Sequence, residues 1–298
     1  MKTNLYCVIF TLSIIVMSCG SDKAPVDETY ARSEHPMKEK AVRLNRDGLA
    51  LFNAGKYADA LELFVEAARV DPEEPEYPNN SGNCLLRLKE ARRSAKEYEK
   101  AAGLDPGRPL YRFNLGLAHL HLNEPEKATE FFREAVRLDD KFAPAWSHLG
   151  LVYYHAKKLD DAETAWKKAA SLGKDAEVEN NLGMVYMDRG DLASAEKRFK
   201  RAIGIEKRFI LAHYNLGVLY QKKNDHAGAE KSYSSAIELD PAYFTAYYNR
   251  ALVQLAQSKE REAVESLELF IKHCPPTLAQ PLDDAKNRLA ELKKKRLH

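Results

Sequence analysis

Four histidines, His119, His121, His148 and His155, are the first candidates for metal chemistry in this sequence. A zinc ion needs ligands at about 2.0–2.1 Å, usually four of them. His119 and His121 are two residues apart on a predicted helix, so their side chains point to different faces. His121, His148 and His155 lie on neighbouring predicted helices, and these three could meet one ion only by fortunate geometry. The sequence therefore predicts no metal site and no cofactor.

Other catalytic signatures are not found in the sequence. It contains no glycine-rich phosphate loop, no His-Glu-x-x-His pair and no nucleophile elbow. Cys84 falls inside a predicted packed helix, which favours a core role over a reactive one. Lys and Arg number 46 and Asp and Glu 44, so no concentrated basic charge favours nucleic acid. We expect neither enzymatic activity nor nucleic-acid binding.

Cys19 stands in a context that favours covalent modification. Lys2 precedes an apolar run, residues 5–16, which has the length of a signal-peptide core and is too short to span a bilayer. The segment Val16-Met17-Ser18-Cys19-Gly20 resembles a bacterial lipobox, although Met17 is larger than is usual there. The resemblance implies cleavage before Cys19 and acylation, for example with palmitate. The alternative is an ordinary secretory signal with a chance cysteine.

The N-terminal segments follow from this interpretation. Residues 1–18 are predicted to be a lipoprotein signal peptide and residues 19–40 a flexible tether, polar and containing Pro25 and Pro36. Gly20 is not the aspartate that retains some lipoproteins in the inner membrane. The resemblance therefore implies a lipid-anchored envelope protein in the outer membrane, facing the periplasm or the exterior.

The rest of the chain repeats every 33 or 34 residues. A small anchor residue recurs, a second small residue follows it by 12 positions, and a large apolar residue follows by 16. Small residues allow close helix approach and the large residue fills the remaining space, so each unit is predicted to be two antiparallel helices. The anchors are Gly48, Gly82, Gly116, Gly150, Gly183, Gly217 and Ala251, and the large residues are Phe64, Tyr98, Phe132, Trp166, Phe199, Tyr233 and Leu267.

This pattern resembles the tetratricopeptide repeat, most clearly at Trp146, Gly150, Tyr153, Ala162 and Trp166. The resemblance implies an all-α, right-handed superhelix of about seven repeats over residues 41–277. Residues 278–298 carry a leucine stripe at helical spacing and a basic end, which predicts a capping helix and tail.

In this family the first helix of each pair lines a concave groove that binds peptides or helices of partner proteins. By resemblance, an asparagine column lies two residues before the anchors, and apolar or aromatic residues flank it. No lysine stands three residues before an anchor, so a carboxylate clamp is not expected. The predicted groove residues are Asn80, Asn114, His148, Asn181, Asn215, Asn249, Phe113, Leu117, Tyr154, Met184, Tyr214 and Tyr248.

The predicted function is a membrane-anchored scaffold for other envelope proteins. A pilotin-like assembly role and an adaptor role for hydrolases or proteases fit equally. An apolar groove also suits a lipid or small-ligand carrier, which stays open as an alternative. The alternative interpretation of the asparagine column is helix packing alone. An enzyme is the weaker alternative, because no segment of about 100 residues is free of repeats.

Overall fold

A computed structural model describes residues 36–295, and every regular element in that range is an α-helix. The helices form seven consecutive pairs followed by one closing helix, which confirms the predicted all-α solenoid with its cap. The first helices are α1 Pro36–Asn53, α3 Glu76–Arg87, α5 Pro109–His121, α7 Ala143–His155, α9 Ala176–Asp188, α11 Ile210–Lys222 and α13 Phe244–Ala256. The second helices are α2 Tyr57–Val70, α4 Ala91–Leu104, α6 Pro125–Leu138, α8 Leu159–Leu172, α10 Leu192–Ile205, α12 His226–Leu239 and α14 Glu260–His273. The closing helix is α15 Ala279–Lys295.

The helix α1 begins at Pro36, before the predicted start of the repeats at residue 41. Proline suits a first helical position, because its fixed φ fits the helix and its missing N–H is not needed there. Lys40 Nζ lies 3.1 Å from Glu66 Oε1 of α2, and Ala41 is fully buried, so this first stretch is tied to the array. The predicted signal peptide and Cys19 lie outside the described residues.

Within each pair, the two helices approach so closely that the anchor position admits only a very small side chain. A Cβ atom added at any of the six anchor glycines would lie 2.4–2.7 Å from the ring of the large residue 16 positions later. Repeat 7 differs from the other six repeats at both the anchor and the large-residue position. Its anchor is Ala251, fully buried, and its filler is Leu267 instead of an aromatic ring. The smaller filler leaves the space that a methyl group needs.

The turn inside each pair uses one residue in the left-handed backbone conformation. Its φ lies between 59° and 80° in all seven pairs, and the next N–H bonds to a carbonyl five residues back, as Lys56 N does to Leu51 O at 2.9 Å. Glycine and asparagine adopt this conformation readily, whereas other residues are strained by about 1 kcal/mol or more. The seven residues are Gly55, Lys89, Asn123, Lys157, Gly190, Asn224 and Ser258.

The first helices lie on the inner side of the curve. Helix α9 contacts both α7 and α11, and α11 contacts α13, whereas successive second helices approach one another less closely. A stack of pairs whose first helices are closer together than their second helices must curve toward the first helices. Their exposed faces therefore form a concave surface.

Both ends of the array are polar. In repeat 1, exposed Arg43 and Asp47 occupy the positions at which repeat 5 buries Val178 and Leu182. At the other end, Ala285 of α15 is fully buried 34 residues after Ala251, so α15 takes the place of a first helix of an eighth repeat. Its outer residues are polar, as capping units require. Within residues 36–295, no helix is both long and apolar enough to cross a bilayer.

Candidate functional site

The floor of the concave surface is apolar and only half buried. Here "groove floor" means Leu120, Leu151, Tyr154, Met187, Leu252 and Leu255, all on first helices. Val42 and Leu49 extend this face at the N-terminal end, because they share one side of α1 with Asn45 at helical spacing. Val42 is 61% exposed and Leu49 40%, so both are open to contact with a partner.

The predicted asparagine column forms bonds between repeats. In four cases the amide nitrogen donates to the residue that stands three before the anchor of the preceding repeat. Each bond satisfies a partly or fully buried amide and fixes the stagger of two neighbouring first helices. The bonds run from Asn80 to Asn45 Oδ1 (2.9 Å), Asn114 to Asn79 Oδ1 (2.7 Å), Asn215 to Asn180 Oδ1 (2.9 Å) and Asn249 to Tyr214 Oη (2.8 Å).

Asn181 departs from this pattern at the centre of the array. The loop between α8 and α9 has three residues where the loops on either side have four, and the asparagine-to-preceding-repeat bond is not formed here. Asn181 Oδ1 accepts only a long 3.5 Å bond from Asn180, and no described residue accepts from its Nδ2. Its amide therefore keeps donor and acceptor capacity for a ligand.

His148 occupies the same column position one repeat earlier. Its ring meets Phe113 edge-on at 5.0 Å and Phe132 at 5.4 Å. Nδ1 lies 3.0 Å from the carbonyl oxygen of Pro144, which can only accept, so Nδ1 carries the hydrogen. Burial lowers the pKa of His148, with a smaller opposing effect of this bond. The neutral ring then leaves Nε2 as a hydrogen-bond acceptor.

The other predicted groove residues divide by burial. Seven of the twelve are buried against neighbouring helices, and five are half buried. Tyr154 Oη donates to Asp188 Oδ2 at 2.7 Å, which holds its ring across the boundary between repeats 4 and 5. The buried seven are Asn114, Asn181, Asn249, Phe113, Leu117, Met184 and Tyr248, and the half-buried five are Asn80, His148, Asn215, Tyr154 and Tyr214. Peptide binding by these residues stays a prediction.

Sequence reasoning missed a set of polar contacts that join each repeat to the next from repeat 4 to repeat 7. A glutamate on each of the second helices α8, α10 and α12 accepts bonds from two side chains of the following first helix and turn. Glu163 accepts from Tyr186 Oη at 2.7 Å and also binds Arg189. Glu196 repeats this with Tyr220 and Lys223, and Glu230 with Gln254 and Gln257. The three glutamates recur at the repeat spacing, but the spacing alone does not distinguish a contact between repeats from a solvated surface position.

These contacts shift the acidity of the glutamates. Hydrogen bonds from Lys200 and Lys223 lower the pKa of Glu196 to about 2. Burial raises the pKa of Glu163, but bonds from Lys167, Tyr186 and Arg189 outweigh it and bring the pKa to about 2. Both glutamates are therefore ionised at neutral pH.

The candidate chemical residues have ordinary surroundings. His119 Nδ1 lies 2.7 Å from Glu124 Oε2, and its ring stacks on Phe131. Among residues 36–295, no three His, Cys, Asp or Glu side chains lie close enough to hold a metal ion. Burial raises the pKa of the Cys84 thiol to about 12, so it stays protonated. Cys274 is a buried free thiol as well.

Comparison with solved structures shows the same fold. A tetratricopeptide repeat protein from Parabacteroides merdae matches with a TM-score of 0.62 and 17% identity over 86% of this chain and 99% of its own. The APC/C hetero-tetramer Cut9–Hcn1 matches with a TM-score of 0.61 and 17% identity, over 89% and 58%. YrrB, described as a TPR protein with an unusual peptide-binding site, matches with a TM-score of 0.52 and 22% identity, over 64% and 99%.

Family profiles agree with this fold. The "Tetratricopeptide repeat" family matches residues 46–109, 90–141 and 210–243, and a "TPR repeat" profile matches residues 183–224. Comparison with curated proteins gives no match. The matched ranges together cover more than half of the sequence, and the glycine–aromatic contacts recur through the intervening repeat. The chain belongs to the tetratricopeptide repeat family.

Proposed function

We propose that this protein is a lipid-anchored scaffold that binds a segment of a partner protein in its concave groove. Proteins of this fold bind other proteins or peptides, and the concave surface combines half-buried apolar side chains with the Asn181 amide, whose Nδ2 has no acceptor among the described residues. The observation that carries the proposal is the central site on the neighbouring first helices α7 and α9, which combines the Asn181 amide and His148 Nε2 with the half-buried Leu151 and Tyr154.

The chemistry of this central site suits a polypeptide. An extended or helical segment offers apolar side chains to the floor and, where it is extended, backbone amides to Asn181, whose side chain both donates and accepts. Burying an aliphatic side chain contributes about 1.5–3 kcal/mol, so a few residues reach micromolar affinity after the cost of association. We infer a binding role rather than a catalytic one.

The anchor is the second part of the proposal. The lipobox-like segment ending in Cys19-Gly20 supports acylation of Cys19, and two or more acyl chains hold a protein stably on a membrane. A scaffold held in the outer membrane would act on envelope proteins. It would assist the assembly of a secretin or pilus complex, or bring hydrolases or proteases to their targets.

Phage-displayed peptides selected on the full chain test the groove. Leu151→Asn should weaken a selected peptide about tenfold, because it replaces a floor contact. Val65→Asn is the matched control, since Val65 is 53% exposed but lies on the second helix α2. Equal affinity for both variants would place binding elsewhere and refute the proposal. A co-purified lipid in native mass spectrometry, with no peptide selected, would favour the carrier alternative.

A pair of asparagine variants tests the central site. Asn181→Ala should lower peptide affinity about two- to tenfold with little loss of stability, because its amide serves no other repeat. Asn215→Ala should instead lower stability, since it leaves Asn180 Oδ1 without its 2.9 Å donor. If both variants lose stability and affinity in the same proportion, the asparagine column is packing and not a binding site.

A further inference from the structure

The two edges of the concave surface carry opposite charge. The "turn edge" is the last residue of each first helix with the three turn residues after it: 53–56, 87–90, 121–124, 155–158, 188–191, 222–225 and 256–259. It holds nine Lys or Arg and five Asp or Glu. The "loop edge" is formed by the loops between pairs: 71–75, 105–108, 139–142, 173–175, 206–209, 240–243 and 274–278. It holds nine Asp or Glu and five Lys or Arg.

The acidic side chains of the turn edge are all engaged within the protein. Glu90 pairs with Arg93, and Glu124 with His119 and Lys127. Asp188 accepts from Tyr154, while Asp191 and Asp225 accept from backbone N–H groups at the starts of α10 and α12. None of them is left to neutralise the lysines of that edge by direct contact.

Five lysines of the turn edge have no carboxylate partner among residues 36–295, although salt bridges are frequent elsewhere in the array. Three other cations of this edge, Arg189, Lys223 and Lys259, do pair with glutamates of the preceding second helix. The unneutralised positive charge is therefore concentrated toward repeats 1, 2, 4 and 6. The five are Lys56, Lys89, Lys157, Lys158 and Lys222.

Two of these lysines occupy strained positions. Lys89 and Lys157 have φ of 63° and 60°, at the turn position that Asn123 and Asn224 fill in other repeats. Left-handed backbone costs a lysine more than it costs glycine or asparagine. Asparagine at both positions would give a more stable fold, so stability does not explain why lysine is present there.

Lys157 is also directed toward the groove floor. Its ammonium lies 5.6 Å from the centre of the Tyr154 ring, and Tyr154 belongs to the floor. Burial, and then the positive charge of Lys157, lower the pKa of the adjacent His155. His155 belongs to the turn edge, so the contact of Lys157 with the Tyr154 ring is what connects this charge to the floor.

We propose that the groove prefers a partner segment whose apolar residues contact the floor while its acidic residues face the turn edge. The inference rests on the proposed groove function and names its partner chemistry: an acidic, apolar peptide segment. The excess of acidic residues on the loop edge repels the reversed arrangement, so the same charges also fix the direction in which the segment faces. Electrostatic preference of this kind weakens with salt, because the Debye length falls from about 30 Å at 0.01 M to 10 Å at 0.1 M.

The test uses two fluorescein-labelled 14-residue peptides on the full chain. Both carry leucine and tyrosine at the same positions, and the remaining positions hold four glutamates in one peptide and four glutamines in the other. We expect the glutamate peptide to bind at least fivefold more tightly in 0.05 M salt, with the difference shrinking in 0.5 M salt. Equal affinities would overturn the acidic preference alone. No binding of either peptide at 1 mM would overturn the groove function with it.

Lysine variants separate a binding role from a structural one. Lys89→Asn and Lys157→Asn should each weaken the glutamate peptide about two- to fivefold and leave the glutamine peptide unchanged. Each should raise Tm by about 1–3 °C, because asparagine suits the backbone there. Loss of stability, or equal weakening of both peptides, would overturn the binding role of these two lysines.

Two controls match these variants. Ser258→Asn changes the same turn position in repeat 7 without removing charge, so it should raise Tm and leave both affinities unchanged. Lys141→Asn removes a positive charge from the loop edge and should not weaken the glutamate peptide. If Lys141→Asn weakens that peptide as much as Lys157→Asn does, total charge and not the turn edge governs binding, and the proposal fails.

Discussion

The anchor glycines offer the sharpest test of how the repeats hold together. In repeat 4, a Cβ added to Gly150 would lie 2.5 Å from Trp166 Nε1 and 2.6 Å from two carbons of the same ring. Ordinary contacts begin near 3.5 Å, so Gly150→Ala requires the ring to move by about 1 Å. The ring N–H donates to Ser147 O at 2.9 Å, and a shift of that size would break the bond.

These effects oppose a gain in helix propensity. Overpacking costs about 1–3 kcal/mol and the lost hydrogen bond about 0.5–1.5 kcal/mol. Alanine in place of an interior glycine contributes about 1 kcal/mol in the opposite direction. Gly150→Ala should therefore lower the free energy of unfolding by about 1–3 kcal/mol.

Repeat 7 indicates how the effect of an anchor alanine on stability can be reversed, because it combines Ala251 with Leu267. In a Trp166→Leu background the ring is gone, and Gly150→Ala should then stabilise the chain by up to about 1 kcal/mol. Urea denaturation followed by circular dichroism gives all four members of this cycle. Amide exchange of α7 and α8 supplements it, because repeat arrays need not unfold in one step. The same destabilisation in both backgrounds would refute the ring contact as the cause.

Three further predictions concern the anchor, the glutamates and the cap. Cys19→Ser should release the protein from membranes, and unchanged fractionation would refute lipidation. The pKa values of Glu163 and Glu196 are lowered from 4.5 to about 2, so the stability they contribute is complete above pH 4.5 and is lost as pH falls toward 2. Thermal unfolding of the Glu163→Gln, Glu196→Gln double variant should accordingly depend less on pH across that window than the unsubstituted chain. Tyr248→Phe removes the bond to Asp284 of the cap, so amide exchange in α15 should quicken about three- to tenfold while α7 is unaffected.

The repeat architecture was predictable because one physical requirement recurs along the chain. A glycine, a small residue and a ring at fixed spacing can be satisfied together only by two close helices, and each copy adds independent support. The start of α1 was less predictable. Pro36 is compatible both with a linker and with the first residue of a helix. Which of the two forms depends on contacts such as that of Lys40 with Glu66, which the sequence does not reveal.

The hydrogen bonds of the asparagine column were less predictable than the fold. The family resemblance implied that the asparagines face the concave side, yet whether an amide has capacity left for a ligand depends on its bonds to the neighbouring repeat. The position that accepts from Asn215 is Asn180, whereas the equivalent position before Asn181 is Ser147, and no bond forms there. Spacing alone also could not show whether Glu163 contacts the next repeat or lies solvated on the surface.

The charged outer face of repeat 1 limits how this chain could grow. An extra pair added before α1 would bury Arg43 and Asp47 against apolar neighbours, and an extra pair after α15 would meet a polar surface. Duplication of an inner unit meets neither obstacle, since inner pairs bury apolar residues against the pairs on both sides. Insertions that lengthen the solenoid should therefore be tolerated in its middle and rejected at its ends.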